Sequence, residues 1–178
     1  MNRNTTWLTR RQAAAGIALA IGGSIAARAG GAQQPAMQET PSTGANASRT
    51  SLHQEIELRA TPQRIYDVLL DQKLFASVTG MTAQIDPKVG GAFTTFGGLI
   101  EGRNIELIPG QRIVQAWRPT SWDPGVYSIV HFELKANGDG TTLVLDHTGF
   151  PEGDFDHLDS GWHQRYWEPM MKFLAAQG

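Results

Sequence analysis

His147 is the polar residue that the pattern of the chain places best for chemistry. In the run Thr141 to Thr148, Thr141, Leu143, Leu145 and His147 alternate with Thr142, Val144, Asp146 and Thr148. On a strand, His147 therefore follows two leucines toward the interior. An imidazole in apolar surroundings can orient a ligand carbonyl or act as an acid/base near neutral pH; the alternative is a core histidine bonded to a neighbour. His131 alternates with Val130, Phe132 and Leu134 and so falls on the exposed face. The second group is aromatic. Trp117, Trp162 and Trp167 with Phe132 can line a pocket or simply fill a core, and Trp122 lies in a loop with Pro119, Pro124 and Gly125, where a pocket mouth is expected.

Other chemistries lack their residues. There is no cysteine, which removes thiolate nucleophiles, disulfides and thiolate-bound metals. His157 and His163 are six apart, too far round a helix to share a metal ion. The acidic run Glu152, Asp154, Asp156 and Asp159 lacks the central glycine and closing glutamate of a calcium loop, and it fits the positive end of a helix. Gly90-Gly91 and Gly97-Gly98 precede neither Lys-Ser/Thr nor a helix, so they read as turns or bulges rather than phosphate cradles. No G-x-S-x-G elbow is present. No metal or other cofactor is expected, and no catalytic residue is assigned. The formal charge of −2 offers no footprint for nucleic acid.

Charge and composition divide the chain into three parts. Residues 1–29 carry Arg3, Arg10, Arg11 and Arg28 and no acid, leaving 11 basic against 17 acidic side chains afterwards. A weakly apolar stretch from Ala13 to Ala27 and the small-x-small step Ala27-Arg28-Ala29 complete the layout of a signal peptide, too short for a stable membrane span. The Arg10-Arg11 pair resembles a twin-arginine signal, with the export translocon as partner and a periplasmic or secreted destination. Residues 30–50 are Gly, Ala, Gln, Pro, Ser, Thr and Asn with almost nothing large and apolar, and read as a disordered linker. Residues 51–178 hold the packable material and are expected to form one domain.

Within that domain, Leu52, Gln54, Ile56 and Leu58 alternate as a half-buried strand, and Thr61-Pro62 opens a helix with a stripe at Ile65, Val68 and Leu69. A second short helix is expected from Lys73 to Val78, closed by Gly80. Five turn signals then separate runs at 83–86, 92–96, 99–108, 112–118, 126–135 and 141–148, an antiparallel meander. Phe155, Leu158, Trp162, Tyr166, Met170 and Leu174 recur at helical spacing, with a bend or break at Pro169. The class is α+β.

Several segments together resemble a known family: Ala60-Thr61-Pro62 with Ile65-Tyr66, the run from Ile85 to Phe93, Gly98 to Gly102, Pro109 to Arg118, and Gly161-Trp162-His163. They are similar to the heat-shock-protein ATPase activator homologue family of the START-like (SRPBCC) superfamily, collinearly from about Leu52 to Leu174. The resemblance implies a helix-grip fold, a curved antiparallel sheet wrapped around a long C-terminal helix. By name the family implies stimulation of a chaperone ATPase. The function expected here is binding of a small hydrophobic or amphipathic ligand between sheet and helix, by His147, Trp117, Phe132 and Trp162, with Trp122 at the mouth. The alternatives are a cyclase- or hydrolase-like enzyme using His147 in the same pocket, or an activator-type interaction module. Monomer and homodimer are both left open.

Overall fold

The computed structural model describes residues 48–177. The signal peptide expected at 1–29, including Arg10 and Arg11, and most of the linker at 30–50 lie outside the described residues.

Strand β1 (Ser51–Leu58) leads into α1 (Pro62–Leu70), where the Thr61 hydroxyl accepts from the Arg64 amide and Pro62 occupies the first turn. Asp71 ends this helix and caps α2 (Gln72–Thr79), accepting from the Lys73 and Leu74 amides, and Gly80 closes α2 with a left-handed φ of 71°. Six strands follow: β2 (Gln84–Ile85), β3 (Ala92–Thr95), β4 (Ile100–Ile108), β5 (Arg112–Pro119), β6 (Ser128–Asn137) and β7 (Gly140–Thr148). They form one antiparallel sheet in the order β1-β7-β6-β5-β4-β3-β2. The order follows from the meander, with β1 closing on β7. A register shift between Asn104 and Glu106 bends β4 against β5.

The C-terminal helix covers the inner face of this sheet. It begins as α3 (Phe155–Trp162), widens into a π-turn over His163–Trp167, and continues as α4 (Glu168–Ala175). The irregularity expected at Pro169 is thus taken up one turn earlier. Proline would drive its ring into the carbonyl four residues back, and the wider turn, with the Glu168 amide bonded to the His163 carbonyl, accommodates it. Trp162, Tyr166, Trp167, Met170 and Leu174 are all buried by this helix against Phe93, Ile113, Phe132, Leu143 and Leu145 of the sheet and Ile65, Leu69 and Phe75 of α1 and α2. The expected helix-grip, α+β architecture is the one observed. No described helix is long and apolar enough to cross a membrane.

Candidate functional site

Two polar centres of the helix–sheet interface differ in how completely their hydrogen bonds are made. The first is around His147, which β7 carries fully buried into the core. The indole N–H of Trp162 donates to His147 Nδ1 at 3.1 Å, and His147 Nε2 lies 2.7 Å from Ser128 Oγ. That hydroxyl in turn donates to the Trp117 carbonyl at 2.9 Å. The three bonds fit one proton arrangement: Nδ1 accepts, so Nε2 carries the hydrogen and gives it to Ser128, whose own hydrogen goes to the backbone. Burial pushes the imidazole down to about 3, so it is neutral across the physiological range. Rings of Trp117, Phe150 and Trp162 pack edge-on around it at 5.0–5.7 Å. Both ring nitrogens are engaged, and His147 does not line the open space described next.

The second centre is a cleft of about 200 Å³ at one end of the same interface. Two rows of the C-terminal helix, each spaced by four residues, form one side: Leu158, Trp162 and Tyr166 on the floor, His157, Gly161 and Arg165 along the lip. The turn at Phe96–Gly98, with Leu99 and Ile100, forms the other side, and Trp117 to Ser121 close the end. The walls are predominantly apolar; the exposed side chains of Arg165 and His157 stand at the rim, and Arg165 forms no ion pair with a described residue.

Local chain chemistry holds this shape. Phe96 is buried at φ 53°, a left-handed conformation that costs a bulky residue about 1–2 kcal/mol. Its edge contacts with Phe75 (5.2 Å) and Tyr166 (4.9 Å) hold it there. The loop after β5 is tied by Arg118, whose guanidinium bonds Glu101 at 2.6 Å and the carbonyls of Trp122 and Asp123. Gly161 is helical, and a Cβ built on it would meet nothing within 4 Å. A side chain there would occupy the cleft.

Behind the cleft floor a void of about 10 Å³ is bounded by Thr95, Gln115, Phe132 and Tyr166 among others, so Tyr166 separates the two spaces. Of the four described tryptophans, Trp162 and Trp167 donate their indole N–H to His147 and Gln54, and Trp122 donates to the Asp154 carboxylate. Trp117 alone does not: its Nε1, like Thr95 Oγ1, is buried without a hydrogen-bond partner. Burial pushes the Tyr166 phenol far up, while Trp117, Thr95 and the Arg165 charge pull it back. Its hydroxyl is thus near both groups, yet it satisfies neither in bonding geometry.

Of the residues singled out in the sequence, Trp117 and Trp162 line the cleft. Phe132 faces the inner void, and Trp122 packs edge-on against Trp117 at 5.9 Å, outside the cleft wall. The acidic run is partly spent on side chains: Asp154 accepts from Trp122 and Asp159 from Gln54 at 2.7 Å. His131 sits on the outer face of the sheet as expected, half-buried. The pattern did not single out Gly161, Phe96 and Tyr166 as site residues. The i, i+4 row at 157, 161 and 165 was the available signal for the lip.

Comparison with known proteins places this geometry in a family. The profile described as "Activator of Hsp90 ATPase homolog 1-like protein" matches residues 59–175. The chain belongs to that family. It is 34% identical over 107 residues to an activator of 90 kDa heat shock protein ATPase homolog of Dictyostelium discoideum, covering 60% of this chain and 28% of that protein. Against the human activator homolog 1 it is 27% identical over 108 residues, 61% of this chain and 32% of the relative. The chain therefore spans about a third of the length of these curated relatives. Among solved structures, an HSP90 activator of Plasmodium falciparum superposes with a TM-score of 0.68 at 26% identity, covering 71% of this chain and 97% of that one. The Aha1 dimer of Colwellia psychrerythraea, at 16% identity and a TM-score of 0.61 over 71% of this chain and 96% of its own, shares the fold.

Proposed function

We propose that this activator-like domain works as an exported binding module for a small amphipathic molecule, held in the cleft between the Phe96–Gly98 turn and the C-terminal helix. The observation that carries the reading is Gly161. A helix-interior glycine is unfavourable by about 1 kcal/mol relative to alanine, and no close approach of backbone or side chain requires one at this position. What it provides is empty space at the cleft lip. About 200 Å³ is less than the roughly 300–1,000 Å³ of pockets for drug-sized molecules, so the ligand is small, with an apolar body of about ten heavy atoms. Arg165 and His157 at the rim favour an anionic or polar outer end. Export rests on Arg10-Arg11 ahead of a short, weakly apolar stretch.

Titration with cyclohexylacetate, followed by intrinsic tryptophan fluorescence, tests the binding reading. A saturable change is expected in the native protein, weakened in Arg165→Gln and absent in a stably folded Gly161→Leu. A response of the same size and affinity in Gly161→Leu, or no saturable response in the native protein, would contradict it.

A second reading has its own support: the fold match covers nearly all of the Plasmodium protein described as an HSP90 activator. Under it, the domain stimulates the ATPase of a chaperone of that class by binding a protein surface. ATP hydrolysis by an Hsp90-type chaperone, measured with and without the domain, separates the two, since a ligand carrier leaves that rate unchanged.

A further inference from the structure

The wall between cleft and inner void carries more hydrogen-bonding capacity than the protein itself uses. Trp117, only 4% exposed, lines the cleft, and its buried indole N–H has no acceptor. Thr95, also 4% exposed, borders the void with a hydroxyl that has no partner. Tyr166, with its hydroxyl near both, borders the two spaces. A buried polar group without a partner costs about 1–3 kcal/mol, and the three other described tryptophans avoid that cost. The tyrosine also sits within the π-turn, the one stretch of the helix whose backbone departs from α geometry, and opposite the left-handed Phe96. Such irregularities recur where a side chain is aimed for function.

We infer that the inner end of the cleft recognises a neutral oxygen, a carbonyl or hydroxyl on an otherwise apolar ligand, with Trp117 Nε1 and the Tyr166 hydroxyl as its donors. The inference rests on the cleft being a binding site and adds what the inner end selects. Trp117 can only donate, and Tyr166 can donate while accepting from Thr95, so the arrangement calls for an acceptor. Among the described residues lining the cleft and void the one Lys or Arg is Arg165, whose guanidinium stands exposed at the rim, so a carboxylate at the inner end would be desolvated with no counter-charge in contact. A neutral oxygen meets both conditions. The ligand so described is a small alicyclic or branched ketone or alcohol, oriented with its oxygen inward.

The test pairs cyclohexyl methyl ketone with isopropenylcyclohexane, the same shape with a methylene in place of the oxygen. Binding to the full chain is followed through the indole N–H resonances in nitrogen–proton correlation spectra, with Trp117 identified by substitution. The expected result is a saturable shift of the Trp117 resonance by the ketone, with affinity roughly tenfold above the hydrocarbon, the size of one buried hydrogen bond. Tyr166→Phe, followed on Trp117, and Trp117→Phe, followed on the remaining indole resonances, are each expected to shrink the ketone's advantage over the hydrocarbon, the two probes being compared within the same variant. Equal affinity of the two probes, or ketone binding unchanged in both variants, overturns the oxygen anchor and leaves the cleft as an apolar site. No binding of either probe overturns the binding reading as well.

Discussion

The two polar centres lie on the same helix and touch the same tryptophans, yet one is closed and the other is open. At His147, every donor finds an acceptor in a single chain from the Trp162 indole to the Trp117 carbonyl. A few residues away the Trp117 indole and the Thr95 hydroxyl are left without partners, beside Tyr166 and empty volume. The contrast separates two uses of buried polarity. A satisfied network specifies one packing and tolerates nothing new, whereas an unsatisfied one is costly to the free protein and has something to gain from a partner. His147, the residue with the more familiar chemistry, belongs to the first kind.

The largest effect expected is therefore at the closed end. Trp162→Ala removes a fully buried ring that stacks on Trp167 and donates to His147, and should cost about 3–5 kcal/mol in urea unfolding. Ser128→Val replaces the hydroxyl with methyl groups at a fully buried position, leaves the His147 N–H without an acceptor and takes one donor from the Trp117 carbonyl, and should cost about 2–4 kcal/mol. A loss below about 0.5 kcal/mol in Ser128→Val would mean that the chain of bonds is not a structural element.

Acid should reveal the same network next. The folded imidazole has a pKa of about 3 against an ordinary 6.5. Above pH 6.5 both folded and unfolded states are neutral, and the group adds no pH dependence. Below it the unfolded chain takes up a proton that the folded state refuses, so stability falls by up to about 1.4 kcal/mol per pH unit toward pH 3. His53 works in the opposite direction, raised by its bond to Asp146, but it is exposed and its contribution is screened. Unfolding measured between pH 7 and 4 should therefore show a shallower acid slope in His147→Leu, even though that variant starts from lower stability. Parallel slopes would contradict the closed network.

At the open end the same kind of change should cost little. Tyr166→Phe deletes a hydroxyl that stands near Trp117 and Thr95 yet leaves both without a bonding partner, and should alter stability by no more than about 1 kcal/mol. If it destabilises as much as Ser128→Val, the two centres are alike and the distinction between them fails.

How much of this was legible in the sequence depends on whether a feature is set by neighbours along the chain or across space. Thr61-Pro62 and Gly80 act within one helical turn, and the alternation around Leu143 and His147 acts within one strand, so the start of α1, the end of α2, the strand faces and the burial of His147 could all be read. The partners of His147 could not, because Ser128 and Trp162 reach it from 19 residues upstream and 15 downstream through register and helix rotation. Trp122 illustrates the same limit. Its Pro/Gly loop suggested a pocket mouth, but Arg118 and Asp154 draw it against the outer side of Trp117. Gly161 carries no side-chain signal at all, and among the described glycines it is set apart by open space at a helical position where no left-handed φ requires glycine.

The most direct test of the account is the binding of cyclohexyl methyl ketone to the native protein and to Gly161→Leu, read on the indole resonances of Trp117 and Trp162 together. The account predicts a saturable shift at Trp117 in the native protein, little change at the Trp162 N–H, which is already bonded to His147, and no saturable shift in a folded Gly161→Leu. A shift centred on Trp162 that persists in Gly161→Leu would place the ligand in the closed network and contradict the account.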